Sequence, residues 1–229
     1  LRAGDVTDPA SLARDGLAGE RFDVMVSCLA SRTGAPADAW AIDHRAHVQA
    51  LAAARAAGVR QVVLLSAICV QKPLLAFQQA KLAFEQALRD EAAADPAFTF
   101  TIVRPTAFFK SLAGQVERVR NGRPFLVFGD GRRTACKPIS DDDLGAFLAE
   151  SIDHPGRRNG ILPVGGPGPA ITPLDQVAML SDLLGRPVPV KRVPVALMDA
   201  IVGLLSIGGL LLPHLRAKAE LARIGRYYA

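Results

Sequence analysis

Three short apolar runs, at 22–29, 61–65 and 98–103, alternate with alanine-rich stretches of helical periodicity at 37–57 and 75–90. No other feature limits the fold as tightly. A strand covered on both faces reads as an unbroken β-branched and leucine run, and Gln61-Val62-Val63-Leu64-Leu65 is one. Strands alternating with helices through short connections predict a parallel sheet clothed on both sides. The expected class is therefore α/β, a doubly wound parallel sheet with a smaller C-terminal region. Asp8 before Pro9 supplies an N-cap and a first-turn proline for a helix over 9–17. Gly58 offers the stop for 37–57. At 229 residues the chain can bury a core of one large domain, alone or with an appendage.

Beyond Arg104-Pro105 the texture changes. Two short strands, 125–128 and 132–137, are expected to flank a turn at Gly129-Asp130-Gly131. A helix over 141–152 carries its acids at the N-terminal end, where the dipole favours them. Gly165-Gly166-Pro167-Gly168-Pro169 reads as a loop, and Thr172-Pro173 caps a helix that stops at Gly185. Residues 1–107 form a dinucleotide-type domain in this reading, and 108–229 complete the sheet and form a substrate cleft. The segment 195–212 is almost wholly apolar, bounded by Pro194 and Pro213 and interrupted by Asp199. As a helix, its uncharged part would reach only ~20 Å, short of a ~30 Å hydrocarbon core. Asp199 at mid-depth would cost roughly 2.5–3.5 kcal/mol. A buried helix lining an apolar pocket and an in-plane membrane contact are favoured over a transmembrane span.

The formal charge of +5 comes largely from scattered arginines, with no dense basic run among aromatics, which argues against a nucleic-acid partner. An anionic small molecule or membrane surface fits better. Cys28, Cys69 and Cys136 stand far apart, without metal-ligand spacing, as reduced thiols of a cytoplasmic protein would. No metal site is expected among the histidines. No basic-then-apolar leader follows Leu1, and the opening Leu1-Arg2-Ala3-Gly4-Asp5-Val6 reads as the end of a strand, as in a fragment.

Ligands of an open parallel sheet bind outside the carboxyl ends of its strands. Those ends carry Asp5-Val6, Ser27-Cys28-Leu29-Ala30, Ser66-Ala67 and Arg104-Pro105-Thr106, with small residues that let a flat cofactor approach the backbone. Eleven residues beyond Ser66, Phe77 and Lys81 stand four apart on one helix face. In short-chain dehydrogenases this is the slot of the Tyr-x-x-x-Lys pair, whose phenol gives a proton to a carbonyl oxygen. Phe77 has no proton to give. Acid–base help at oxygen contributes ~10²–10⁴ in rate, so an ordinary ketone reductase is disfavoured. Hydride addition to a conjugated alkene is different, because the charge passes into the π-system and the proton goes to carbon.

The run Ser66-Ala67-Ile68-Cys69-Val70-Gln71-Lys72-Pro73-Leu74-Leu75-Ala76-Phe77-Gln78-Gln79-Ala80-Lys81 resembles the central signature of the divinyl chlorophyllide 8-vinyl reductases. So do Ile102-Val103-Arg104-Pro105-Thr106-Ala107-Phe108-Phe109-Lys110-Ser111-Leu112-Ala113-Gly114-Gln115-Val116 and shorter motifs up to Ile224-Gly225-Arg226-Tyr227-Tyr228-Ala229. The resemblance implies an atypical short-chain dehydrogenase with a Rossmann-type fold, NADPH as hydride donor, and a tetrapyrrole whose 8-vinyl group becomes ethyl in chlorophyll or bacteriochlorophyll synthesis. By motif slot, it places Asp5 and Val6 at the adenine, Ala30 and Ser66 along the cofactor and Lys81 on its ribose. Pro105 and Thr106 flank the nicotinamide, and Phe77, Phe108 and Phe109 face the substrate, with Ser66 and Lys81 as the catalytic candidates. The family's glycine-rich phosphate loop lies upstream of Leu1, so 22–29 is expected to show an unpaired edge, and this stretch expressed alone to be insoluble or inactive.

Phe125, Lys110, Arg118 and Arg120 are further candidates for an apolar cleft with cations at its rim. Tyr227 and Tyr228 are the only phenols that could replace the missing one. Two rivals stand beside the vinyl reductase: a non-catalytic dinucleotide-binding sensor or accessory subunit, and a reductase of another conjugated alkene. A peripheral contact with a photosynthetic membrane through 194–213 stays open.

Overall fold

The computed structural model describes residues 1–228; Ala229 lies outside them. Asp8 accepts a hydrogen bond from the Ala10 amide, and Pro9 opens α1 (Pro9–Ser11), which runs on as a π-helical turn, Leu12–Leu17. Strand β1 (Val24–Ser27) is shorter than the apolar run containing it. Helix α2 is wound in three pieces, Pro36–Ala39, a π-helical Trp40–Ala46 and His47–Ala56. Then come β2 (Gln61–Leu65), α3 (Ala76–Ala94) and β3 (Thr99–Pro105).

These strands and β5 (Gly160–Val164) form one parallel sheet in the order β1-β2-β3-β5. Val62 and Leu64 point to the same face as Phe100 and Ile102, where Leu51, Ala54, Phe84 and Leu88 from α2 and α3 close the core. Val63, Thr101 and Val103, on the other face, are just as buried. Burial on both faces is why β2 shows no polar alternation. Its one polar residue, Gln61, donates from its amide to the carbonyls of Ser151 and Ile152 at the end of α5 (Asp141–Asp153). β1 is paired on one side only among the described residues.

The chain divides into two compact units, one of Leu1–Pro105 with Leu144–Val164, the other of Thr106–Asp143 with the chain from Gly165 onward. In the second, α4 (Phe109–Arg120), β4 (Phe125–Phe128), α6 (Pro173–Leu184), β6 (Val190–Val193), α7 (Val195–Leu211) and α8 (Pro213–Tyr227) follow in order. Thr172 caps α6 reciprocally with Asp175, and Gly185 ends it at φ 61°.

The expected hairpin does not form. β4 pairs in parallel with β6, and 132–137 contributes only an isolated bridge, Cys136 to Ile171. The reason is local. The Asp130 carboxylate accepts the Arg132 amide at 2.9 Å, taking a donor that a ladder would need, while Arg133 folds back onto the same side chain. The apolar run of β4 instead finds a partner in Val190–Val193. The segment from 195 is a helix, and no helix among the described residues is long and apolar enough to cross a membrane.

Candidate active site

In the first unit the site is organised by α3. Its start is fixed by the fully buried Gln78, whose side-chain oxygen accepts the Leu75 amide at 3.0 Å. One face then presents Phe77, Lys81 and Glu85 at successive turns. An i,i+4 Lys–Glu couple would ordinarily be a surface pair. Here each charge takes a separate buried partner.

Lys81 Nζ lies 3.0 Å from Asp43 Oδ1, with the lysine side chain only 11% exposed and the aspartate wholly covered. Asp43 Oδ2 accepts the Ser31 hydroxyl at 2.5 Å, and Oδ1 the Ser31 amide at 3.3 Å. One carboxylate thus ties the chain beyond β1 to the lysine on α3. Sequence reasoning passed over Asp43. The signal was available: Ala39, Asp43, Ala46, His47, Leu51 and Ala54 form one buried stripe at helical spacing. An acid on such a stripe needs a cation.

Glu85 is equally covered. Its Oε1 accepts from Ser66 Oγ at 2.6 Å and from Arg104 Nε at 3.1 Å, and Oε2 takes Arg104 Nη2 at 2.5 Å. The paired N–H donors of Arg104 suit a bidentate hold on the carboxylate. Ser66, at the end of β2, therefore directs its hydroxyl proton at Glu85. The ends of β2 and β3 are locked to α3 by one carboxylate, as Ser31 is by the other.

His47 follows Asp43 by one turn and is buried against Phe84, ring centroids 4.5 Å apart. Its Nδ1 is 2.9 Å from the Ile42 carbonyl oxygen, which places the proton there and leaves Nε2 without a partner among the described residues. Burial pushes the imidazole down to about 4, and the Lys81 ammonium adds to the effect against the opposing pull of Ile42 and Asp43. It stays neutral at physiological pH.

At the other strand ends, Asp5 is exposed and its Oδ1 accepts both the amide and the hydroxyl of Thr7, at 2.8 and 2.6 Å. Those bonds lower its pKa. Val6 is half-buried and Ala30 exposed; Pro105, the last residue of β3, is buried. A polar cleft of about 480 Å³ opens at the opposite, amino ends of these strands, lined by Arg21, Arg60, Gln61 and Arg158. None of the candidate site residues borders it.

In the second unit Thr106 donates its hydroxyl to the Lys137 carbonyl. Phe108 precedes α4 and bridges Ile139; Lys110 sits over its ring at 4.9 Å while pairing with Asp141 at 2.9 Å. Gly166 packs so closely on Pro138 that a Cβ there would stand 2.0 Å from the carbonyl oxygen. Phe109 is more than half exposed. Phe125 is core, packed with Val119, Val127 and Val188. Arg118 is engaged by the Pro124 carbonyl and Arg120 by Glu117. Tyr227 and Tyr228 meet edge to face at the end of α8. Among the described residues no group of His, Cys, Asp and Glu could hold a metal ion.

A family model described as NAD(P)H-binding matches residues 1–155. The chain belongs to this NAD(P)H-binding family. The match takes in α1 to α5 and stops before β5, so it includes every charge of the two buried networks on α3. The family member described here is 54% identical over 225 residues to the divinyl chlorophyllide a 8-vinyl-reductase, chloroplastic, of Zea mays, covering 98% of this chain and 56% of that protein. With the enzyme of the same name from Arabidopsis thaliana it shares 52% over 208 residues, covering 90% of this chain and 50% of that one. The chain spans about half the length of the curated relatives it matches. In architecture it is similar to an NADPH-dependent quinone oxidoreductase from Escherichia coli solved with NADPH, at a TM-score of 0.67 and 19% identity, over 100% of this chain and 74% of that one. That likeness bears on the fold alone, a Rossmann-type parallel sheet.

Proposed function

We propose that the chain is part of an NADPH-dependent reductase that converts the 8-vinyl group of a divinyl (proto)chlorophyllide to ethyl. The observation that carries the reading is Phe77, one turn before Lys81, where carbonyl-reducing relatives of this fold place a phenol. High identity to enzymes named for vinyl reduction supports it. When bound, NADPH supplies the hydride.

The donor set fits such a cofactor in part. Lys81 keeps two of its three N–H donors beyond the one facing Asp43, suited to ribose hydroxyls. Asp5 keeps a second carboxylate oxygen that can accept from the adenine side, with Val6 beside it. Ala30 offers a methyl and open backbone. Ser66 lines the cofactor, and Pro105 and Thr106 flank the nicotinamide. Phe77, Phe108 and Phe109 provide apolar surface for the pigment, and Lys110, held over Phe108, a cation for its carboxylate. The 194–213 segment makes a peripheral contact with the membrane from which so apolar a substrate is drawn.

The test is turnover by the full-length protein with NADPH and divinyl chlorophyllide, following both cofactor oxidation and the blue shift that accompanies loss of a conjugated vinyl group. Both should move together, and Lys81→Ala should weaken cofactor binding or turnover. Tight NADPH binding without turnover would favour the sensor reading. Turnover on other conjugated alkenes but not on the pigment would favour the second rival.

A further inference from the structure

Helix α7 leaves most of its exposed surface apolar. Its two polar side chains, Asp199 and Ser206, turn toward α8, where Arg226 Nε meets Asp199 Oδ1 at 2.5 Å and Arg223 Nη2 donates to Ser206 Oγ at 2.9 Å. Arg216 Nε donates to the Gly209 carbonyl at 2.9 Å. The two helices approach so closely that a Cβ on Gly208 would stand 2.8 Å from Leu215. The exposed arc of α7 carries Leu197, Ile201, Leu204, Ile207 and Leu210, continued by Leu212. Leu204 is 73% exposed, Ile207 66% and Leu210 76%. At 3.6 residues per turn these positions sweep one broad face, with Asp199, paired to Arg226, at its edge.

We infer that α7 lies in the plane of an anionic lipid bilayer with this apolar arc immersed and α8 above it. The 17-residue helix is only ~25 Å long, too short for the ~30 Å hydrocarbon core, so it suits the interface rather than a span. Its surroundings are cationic. Residues 190–229 hold six Lys and Arg against two acids, and both acids are already paired, Asp199 with Arg226 and Glu220 with Arg223. Lys191, Arg192, Arg216 and Lys218 are exposed. Charge also chooses between occupants. A second copy would bring the same positive field to this face, whereas a negatively charged leaflet attracts it. Among the described residues the arc's side chains from Leu197 to Leu210 are aliphatic, and Asp199 at its edge is already paired, so a partner protein would find no free hydrogen-bonding group to complement.

This inference rests on the peripheral placement of 194–213 in the proposed function but not on its redox chemistry. Flotation of the full-length protein, without cofactor or pigment, is measured with vesicles of phosphatidylcholine alone and of equal parts phosphatidylcholine and phosphatidylglycerol. The mixed vesicles should retain about tenfold more protein, and high salt should reduce that severalfold as surface charge is screened. Leu204→Glu with Leu210→Glu should lower retention by about tenfold or more. The milder Leu204→Ser should lower it by a smaller factor while NADPH binding stays as in the parent protein, which separates lost contact from lost fold. No retention on the mixed vesicles, retention unchanged by the substitutions, or variants that turn a dimer into a monomer without altering flotation would overturn the inference. Flotation without pigment turnover would strike the reductase reading alone.

Discussion

Lowering the pH from 7 to 5 should cost the protein about 2 kcal/mol of folding stability through His47 alone. In the folded state burial among Phe84 and its neighbours holds this imidazole at about 4, against 6.5 for the free side chain. Between those values the unfolded chain binds a proton that the folded one refuses, so stability rises with pH and is lost as pH falls below about 6.5. The full difference is worth about 3.4 kcal/mol at 1.36 kcal/mol per pH unit, and roughly half of it falls between pH 7 and 5. The aspartates with lowered values, Asp5, Asp15, Asp38, Asp95, Asp130 and Asp175, start from 3.8 and act in more acidic solution. Above pH 5 these aspartates are ionised in both states and do not offset the histidine. Urea unfolding of the full-length protein at the two pH values should show a midpoint lower at pH 5 by roughly 1 M, given typical slopes of about 2 kcal/mol/M. In His47→Gln, which can still donate to the Ile42 carbonyl but does not titrate, most of that difference should vanish. An unchanged pH dependence in the variant, or an imidazole observed by NMR to titrate near 6.5, would refute the reasoning.

Three other substitutions probe the site and its support. Asp43→Ala strands the buried Lys81 ammonium and should cost about 3–5 kcal/mol in unfolding experiments; Asp43→Asn should cost less in stability yet still weaken NADPH binding, and unaltered affinity would show that the lysine needs no anchor. Phe77→Tyr should leave vinyl reduction within about threefold of the parent rate; a gain near the 10² expected of a useful proton donor would mean that the slot still serves acid catalysis. Gly166→Ala forces a methyl onto the Pro138 carbonyl, where neither backbone can give way cheaply, and should lower the melting transition by an amount equivalent to about 1–3 kcal/mol.

The sheet was legible where burial writes itself into composition. β2 runs from Gln61 to Leu65 as expected, because both of its faces are covered and no polar alternation blurs its ends. The caps at Asp8 and Thr172 were legible because they are local chemistry. The partner of β4 was not. Gly129-Asp130-Gly131 is a local turn signal, while pairing with β6 joins residues more than sixty positions apart, and nothing in 125–128 says which distant strand it prefers. The site was half legible for a similar reason. Spacing put Phe77 and Lys81 on one face, but it gave no sign of the buried partners that Lys81 and Glu85 take. Only the fold reveals that each looks inward to a different counter-charge.

Those two counter-charges bear on what chemistry the scaffold can support. Breaking either pair by removing one partner would leave a buried charge uncompensated, at about 3–5 kcal/mol, so α3 is pinned at two successive turns. The first pin reaches Ser31 beyond β1, and the second reaches the ends of β2 and β3 through Ser66 and Arg104. A ligand laid across these strand ends would meet a floor that does not need to reorganise, which favours a reaction limited by alignment. The Ser66 hydroxyl proton points at Glu85, and Phe77 has none, so neither is aimed at a substrate oxygen. Alignment without an acid at oxygen suits hydride delivery to carbon in a conjugated system better than reduction of a carbonyl. In the proposed reductase Phe77 would therefore be part of the site's design, with the charge network beneath it supplying rigidity in place of a proton.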